Sequence, residues 1–341
     1  MDSFPRITCK SACKSARKSA VVVPILAGIA LILGAPAAHG QSWPSRQITF
    51  VVPFPPGGGP DVFSRIVAEK LPARVGQPAI VENRPGVGGL AGANAVAKAT
   101  DGHTFLVAPN TLVIAPHVLA KGAGGGIDVM RDLVPMIMPA STPMMLVVNP
   151  QLGVKSVAEL VALAKKKPGL PYASAGNGSP MHIGGELFRR AAGVDLTHVP
   201  FNGVAPSVTA VLGGQVDVLF VAMGGGIAQH LRAGKLSVIA VTEKRRTAQL
   251  PDVATMAELG YKSVATDAWY GMLAPAGTPP AVVARMNQEV NAIIAMPDVR
   301  TRMNTAGIDV RGGTAEEFST EMREDHDRYG RIIREFGIKA D

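Results

Sequence analysis

The stretch ITFVVPFPPGGGPDVFSRIVAEKL, residues 48–71, decides the fold. Ile48, Thr49, Val51 and Val52 form a β-branched run that stops at Pro53; Gly57, Gly58 and Gly59 follow; then Val62, Phe63, Ile66 and Val67 recur at helical spacing. The pattern predicts a strand, a loop with accessible backbone and a helix start. Glycines let the main chain approach a ligand closely, and the first N–H groups of a helix lack internal partners and sit at the positive end of its dipole. Such a place binds anions. The loop is no dinucleotide fingerprint, which needs spaced glycines and an acid about twenty residues on, and no Walker loop, which ends in Gly-Lys-Ser/Thr. Alone it could be a tight turn. The arrangement recurs along the chain, which favours the binding reading.

Gln77 to Asn83 reads as a second strand, and Arg84-Pro85-Gly86-Val87-Gly88-Gly89 leads into a helix from Leu90 to Ala99. His103 to Ala108 is a third strand, ending at Pro109-Asn110-Thr111. This is the βαβ rhythm of a parallel sheet, whose ligands lie beyond the carboxyl ends of the strands. Lys121 to Asp132 is glycine-rich and irregular, and Met136 to Val148, interrupted by Pro139 and Pro143, reads as an extended crossing between domains. A second series follows: helix 157–167, strand 170–173 into SAGNGSP, helix from Met181, strand 196–201 into NGVAP, helix 207–212, strand 216–221, helix 227–232 and strand 236–241. Thr266 to Ala274, with Trp269 and Tyr270, reads as a second crossing; these aromatics suit either the core or the cleft. The tail is helical: Ala281 to Ala295 carries one apolar face, and Thr314 with Glu317 forms a capping box. The expected fold is α/β and two-lobed, each lobe a mostly parallel sheet flanked by helices. The first lobe spans 44–141 and 268–341, the second 142–267, and two crossing strands make a hinge around a cleft.

The N-terminus carries Arg6, Lys10, Lys14, Arg17 and Lys18 against Asp2, then an apolar run from Val21 to Leu33 and small residues through Gly40. This predicts a secretory signal peptide over 1–40, the run being shorter than the roughly 20 residues of a spanning helix. The mature chain is therefore expected to be periplasmic. Cys9 and Cys13 lie in the removed segment, which leaves no disulfide, thiol nucleophile or cysteine metal site afterwards. Loss of five basic residues and one acid takes the formal charge from +8 to +4. With no dense Lys/Arg stripe and aromatic interleaving, nucleic acid is not an expected partner. Lys165 to Lys167 and Lys244 to Arg246 read as solvated helix ends and turns.

The segments VVPFPPGGGPDVFSRIVAEKL, VENRPGVGGLAGANAVAKATDGHTFLV, LPYASAGNGSPMHIGGELF, HVPFNGVAPSVTAVLGGQVDVLF and WYGMLAPAGTPPAVVARMNQEVN, in this order, resemble the receptor component of the tripartite tricarboxylate transporters, the Bug family of periplasmic solute-binding proteins. The resemblance implies a type II periplasmic-binding fold that closes on a small carboxylate ligand and hands it to membrane transporter subunits, as a monomer without cofactor or metal. Carried onto this chain, it places Phe54 as an apolar wall and the amides of Gly57, Gly58 and Gly59 around one carboxylate. Gly176, Asn177, Gly178 and Ser179 form the opposing turn, with Ser179-Pro180 a good cap and first-turn pair. Ala108, Asn110, Ser174, Phe201 and Asn202 complete the strand-end candidates. Three further candidates carry plainer readings beside the ligand one: Asp61 as a helix-start cap, His182 as a locally bonded histidine, Asp217 as a structural carboxylate. The chain departs from the family pattern at Val221-Ala222-Met223, where many relatives have a polar or acidic residue, and at Phe201-Asn202-Gly203, where relatives often have Tyr-Lys-Gly. A less charged or more apolar acid than a tricarboxylate is the implied ligand.

The rival from another class is a hydrolase using Ser174 or Ser179 with His182. The sequence shows no G-x-S-x-G elbow and no orienting acid near them. A third reading keeps the cleft and delivers the closed receptor to a membrane sensor.

Overall fold

The structure, a computed structural model, describes residues 43–224, 226–243, 246–247 and 249–339. The predicted signal segment lies outside them, as do Lys244 and Lys-neighbouring Arg245 of the basic run; Arg246 pairs with Glu258 at 3.0 Å.

In chain order, β1 (Ile48–Val52) runs into α1 (Gly59–Lys70), β2 (Ala79–Asn83) into α2 (Leu90–Ala97), and β3 (Thr104–Pro109) into α3 (Thr111–Val118). β4 (Leu133–Thr142) and β5 (Met144–Val148) are separated by Pro143 alone. Then come α4 (Val157–Lys166), β6 (Leu170–Ser174), α5 (Pro180–Ala192), β7 (Leu196–Pro200), α6 (Val204–Leu212), β8 (Val218–Ala222), α7 (Ile227–Arg232) and β9 (Ser237–Val241). β10 (Ala268–Pro275), α8 (Pro280–Ile294), α9 (Pro297–Thr305), β11 (Asp309–Val310) and α10 (Ala315–Phe336) close the chain.

The strands form two sheets, ordered β11-β4-β10-β3-β1-β2 and β7-β6-β8-β5-β9, and so two lobes. In the first, β1 lies parallel to β2 and β3, as βαβ units require, while β10 and β4 join antiparallel. In the second, β6 is parallel to β7 and β8, while β5 runs antiparallel between β8 and β9. In each sheet the strand that arrives from the other lobe, β10 in the first and β5 in the second, runs antiparallel to both of its neighbours. β10 is buried at every residue, so Trp269 and Tyr270 are core side chains of the return crossing, and Trp269 Nε1 donates to Asp325 Oδ2 on α10 at 2.7 Å. Tyr270 also touches the cleft, as described below.

The connections are tied together. Pro143 O accepts from Met223 N at 2.7 Å, and Thr242 N donates to Met144 O at 2.9 Å. Thr242 Oγ1 lies 2.9 Å from Thr266 Oγ1, joining the outgoing and returning chains. The capping box at Thr314 and Glu317 starts α10, and α10 lays Phe318 edge-on against Trp269. One helix start differs from expectation. α6 begins at Val204, three residues early, because Pro206 falls in its first turn, where a missing N–H costs nothing. α3, which runs through Pro116, and α9 occupy stretches for which the sequence reading gives no element.

Candidate functional site

Helix starts dominate the region between the lobes. Four helices, α1 capped by Gly58, α3 by Asn110, α5 by Ser179 and α6 by Gly203, begin at the carboxyl ends of β1, β3, β6 and β7. All four point their first turns at one inner cavity of about 40 Å3. From the first lobe it is lined by Phe54, Pro55, Gly58, Pro60 and Thr111, with Tyr270 behind them. From the second it is lined by Ala175, Pro180, Met181, Val204, Ala205 and Ala222. At least one amide from each helix start, those of Gly58, Thr111, Met181, Val204 and Ala205, has no acceptor among the described residues. A second cavity of about 250 Å3 opens outward between Pro85–Gly89, Leu119, Asn177, Phe201 and Asn202. Phe54, Pro55 and Ala175 line both cavities. Neither cavity is lined by a Lys, Arg, Asp or Glu.

The lobes meet around this space. A methyl group at Gly178 would lie 2.5 Å from Ala115 Cα of the other lobe, and one at Gly203 would lie 3.4 Å from Pro55 Cδ. Gly224 would carry its methyl 3.5 Å from Gly59 Cα, and Gly59 itself has the Tyr270 hydroxyl packed where a Cβ would go. Glycine at 178 is therefore required for the lobes to meet, whereas Gly59 makes room for Tyr270 within its own lobe and Gly224 stands in ordinary contact across the seam. Gly57 belongs to the same seam, 4.0 Å from Ala205 Cβ on that measure.

The candidate residues divide into three groups. Phe54 and Gly58 line the inner cavity; Phe54, Gly176, Asn177, Phe201 and Asn202 line the outer one. Gly57, Gly59 and Gly178 form the seam. The rest sit behind the walls. Asp61 is consumed internally: its carboxylate accepts from Gly57 N at 3.0 Å, Arg65 Nε at 3.0 Å and Asn83 Nδ2 at 3.0 Å. Burial acts to raise its pKa, but these partners together hold the carboxyl below its ordinary value. The Gly57 amide is thereby withdrawn from any ligand. Ala108 is fully buried in the core, and Asn110, also buried, donates Nδ2 to Asp267 O at 3.0 Å. Asp217 precedes β8 at the end opposite the cleft, where its carbonyl accepts from Asn149 N at 2.8 Å. It is too far away to touch a ligand.

The turn after β6 is bonded to itself. Gly176 N donates to Ser174 Oγ at 3.1 Å, Gly178 N to His182 Nδ1 at 3.3 Å and Ser179 N to Gly176 O at 3.1 Å. Of the amides expected to grip a carboxylate there, only that of Asn177 is left without an acceptor among the described residues. His182 stacks on His198 with ring centroids 4.1 Å apart. Burial, and then the adjacent His198, pull His182 down to about 3, so it is neutral at ordinary pH and able to accept from Gly178. Ser174 Oγ and His198 Nε2 share a 2.6 Å hydrogen bond, but Ser174 is fully buried. Ser179 Oγ accepts from the backbone N of His182 at 3.1 Å, as an N-cap, and does not meet its ring. The serine and histidine of the hydrolase reading thus build the turn. Sequence reasoning named Asn110, Phe201 and Asn202 at the starts of α3 and α6 but missed Thr111, Met181, Val204 and Ala205, which line the inner cavity; the signal available was a glycine or asparagine followed by an early proline or threonine after a strand.

The family model "Tripartite tricarboxylate transporter family receptor" matches residues 63–338. The UPF0065 protein in the tcbD-tcbE intergenic region of Pseudomonas sp. (strain P51) is 36% identical over 326 residues, 93% of this chain and 95% of that one. Among solved structures, Rpa4515 of R. palustris with adipate superposes with TM-score 0.82 at 30% identity, covering 87% of this chain and 99% of that one. MatC (Rpa3494) from Rhodopseudomonas palustris with bound malate gives TM-score 0.80 at 30% identity, covering 85% and 100%. The chain therefore belongs to the tripartite tricarboxylate transporter receptor family, and its paired lobes have the fold of periplasmic solute-binding proteins.

Proposed function

We propose that this protein is an extracytoplasmic receptor that captures a small carboxylate between its lobes, closes on it and presents the closed form to a membrane transporter. The observation that carries the reading is the convergence of four helix starts, each with an unpaired amide, on one cavity free of charged side chains. Each dipole in a partly buried geometry contributes up to about 2 kcal/mol toward an anion. Charge-assisted hydrogen bonds contribute roughly 1.5 to 3 kcal/mol each, and a micromolar complex needs about 8 kcal/mol. Four such amides suffice without a lysine or arginine. The lobes are assigned as 44–141 with 268–341 and as 142–267, and the basic, then apolar N-terminus as the export signal of a periplasmic monomer. Related structures hold adipate and malate, which supports a carboxylate as cargo. The reading includes no catalysis, since Ser174, Ser179 and His182 are engaged in holding the turn.

Thermal unfolding against mono-, di- and tricarboxylates tests the reading. A ligand at a hundred times its dissociation constant adds about 2.7 kcal/mol, a rise of roughly 5 to 10 °C. Purified, ligand-stripped protein with no response to any carboxylate would overturn it.

A further inference from the structure

The turn between β6 and α5 carries three successive amides, those of Gly176, Asn177 and Gly178. The outer two are taken by side chains that line neither cavity: Gly176 N donates to Ser174 Oγ at 3.1 Å, and Gly178 N donates to His182 Nδ1 at 3.3 Å. The middle amide, in a residue that lines the outer cavity, has no acceptor among the described residues. Glycine is the most freely rotating residue, so a turn with Gly176 at φ 121° and Gly178 at φ 72° has little reason of its own to hold the Asn177 amide in one direction.

The two acceptors are themselves fixed. Ser174 Oγ shares a 2.6 Å hydrogen bond with His198 Nε2, and the His198 ring lies flat on that of His182, with 4.1 Å between centroids and 9° between planes. Accepting at Nδ1 puts the proton of the neutral His182 ring on Nε2. The same turn is where the lobes meet: a methyl group at Gly178 would lie 2.5 Å from Ala115 Cα, and one at Gly88 would lie 3.4 Å from Asn177 O.

We propose that Ser174 and His182, the latter seated on His198, are positioning residues for ligand capture. Without touching the ligand, they clamp the peptides on both sides of Asn177, so that its amide faces the ligand and Gly178 faces the other lobe. The inference rests on the receptor reading and deepens it by naming what holds this half of the site in its binding shape. A turn fixed before the ligand arrives needs no ordering afterwards, so loss of the clamp is read as loss of affinity.

Titration calorimetry on the purified, ligand-stripped protein with succinate, malate, adipate, citrate and benzoate, extended to any other acid that raises the unfolding midpoint, identifies the tightest binder. That acid is then titrated into the variants. His182→Leu, which removes both the acceptor and the stack, is expected to bind it tenfold or more weakly. His182→Asn also lacks the stack but places Oδ1 where Nδ1 stood, and is expected to stay within threefold of the unmodified protein, although both variants unfold at a lower temperature. A histidine that only supports the fold would give the two variants equal affinities. Unchanged affinity in His182→Leu, or an equal loss in both, would overturn the proposal while leaving the receptor reading intact. If His182→Leu does not fold, Ser174→Ala carries the test: a loss of threefold or more is expected, and unchanged affinity would overturn the proposal. Binding of no acid by the unmodified protein, across these and the wider carboxylate panel, would overturn both.

Discussion

At the scale of single residues, Gly58 separates folding from binding. Its backbone, at φ −75° and ψ 165°, suits any L-residue, and a Cβ there would meet only Pro60 Cδ, at 3.9 Å. A Gly58→Leu side chain would extend into the inner cavity. Thermal unfolding is expected to show an unchanged midpoint for this variant without ligand and calorimetry a loss of binding of a hundredfold or more; normal affinity would remove Gly58 from the site. Ser179→Ala should behave in the opposite way. Its hydroxyl caps α5 and does not line either cavity, so about 1 kcal/mol of stability is lost, read by denaturant titration, with affinity little changed. The sequence placed Gly57–Gly59 and Gly176–Ser179 at strand ends, next to helix starts. It could not show which amides remain free, because that depends on partners brought from elsewhere: Asp61 on Gly57, and His182, one helical turn beyond, on Gly178.

At the scale of elements, the loop before α2 holds stored strain. Val87 adopts φ 51°, between Gly86 at 140° and Gly88 at 61°, and its side chain is 46% exposed at the rim of the outer cavity. A β-branched residue in the left-handed region costs of order 1–3 kcal/mol, whereas asparagine tolerates it. Val87→Asn is therefore expected to raise the unfolding free energy by about 1 kcal/mol, measured by urea titration; a decrease would mean that apolar contacts of Val87 outweigh the strain. The elements themselves were largely legible: β1, β6 and α10 announce themselves through a β-branched run, a strand emptying into Gly-rich turns and a capping box. Periodicity is blind to pairing partners, so the antiparallel insertion of β5 and β10 was not. β11, two residues long, and α3, with proline inside, are made by tertiary contacts that local pattern does not encode.

At the scale of the whole molecule, buried ionisable groups give stability an optimum in pH. Burial, then the carboxylates of Asp309 and Asp267, push Glu243 up to about 7, with Arg311 opposing. Its folded value lies above the ordinary 4.5, so its contribution is fully present below pH 4.5 and is lost as pH rises through about 7. His182 acts in the other sense: depressed to about 3 from 6.5, its contribution is present above pH 6.5 and is lost as pH falls toward 3. Glu243→Gln should stabilise the protein at pH 8 by about 2 kcal/mol, allowing for solvent screening, and have little effect near pH 4; equal unfolding midpoints at pH 8 would contradict the assignment. The absence of Lys, Arg, His, Asp and Glu from the cavity linings reaches further than affinity. A receptor that grips an anion with peptide dipoles has nothing at the contact that gains or loses a proton on capture. Heats of binding should therefore be the same in buffers of different ionisation enthalpy, and loading should continue unchanged while the surrounding medium acidifies, as long as the cargo itself stays ionised.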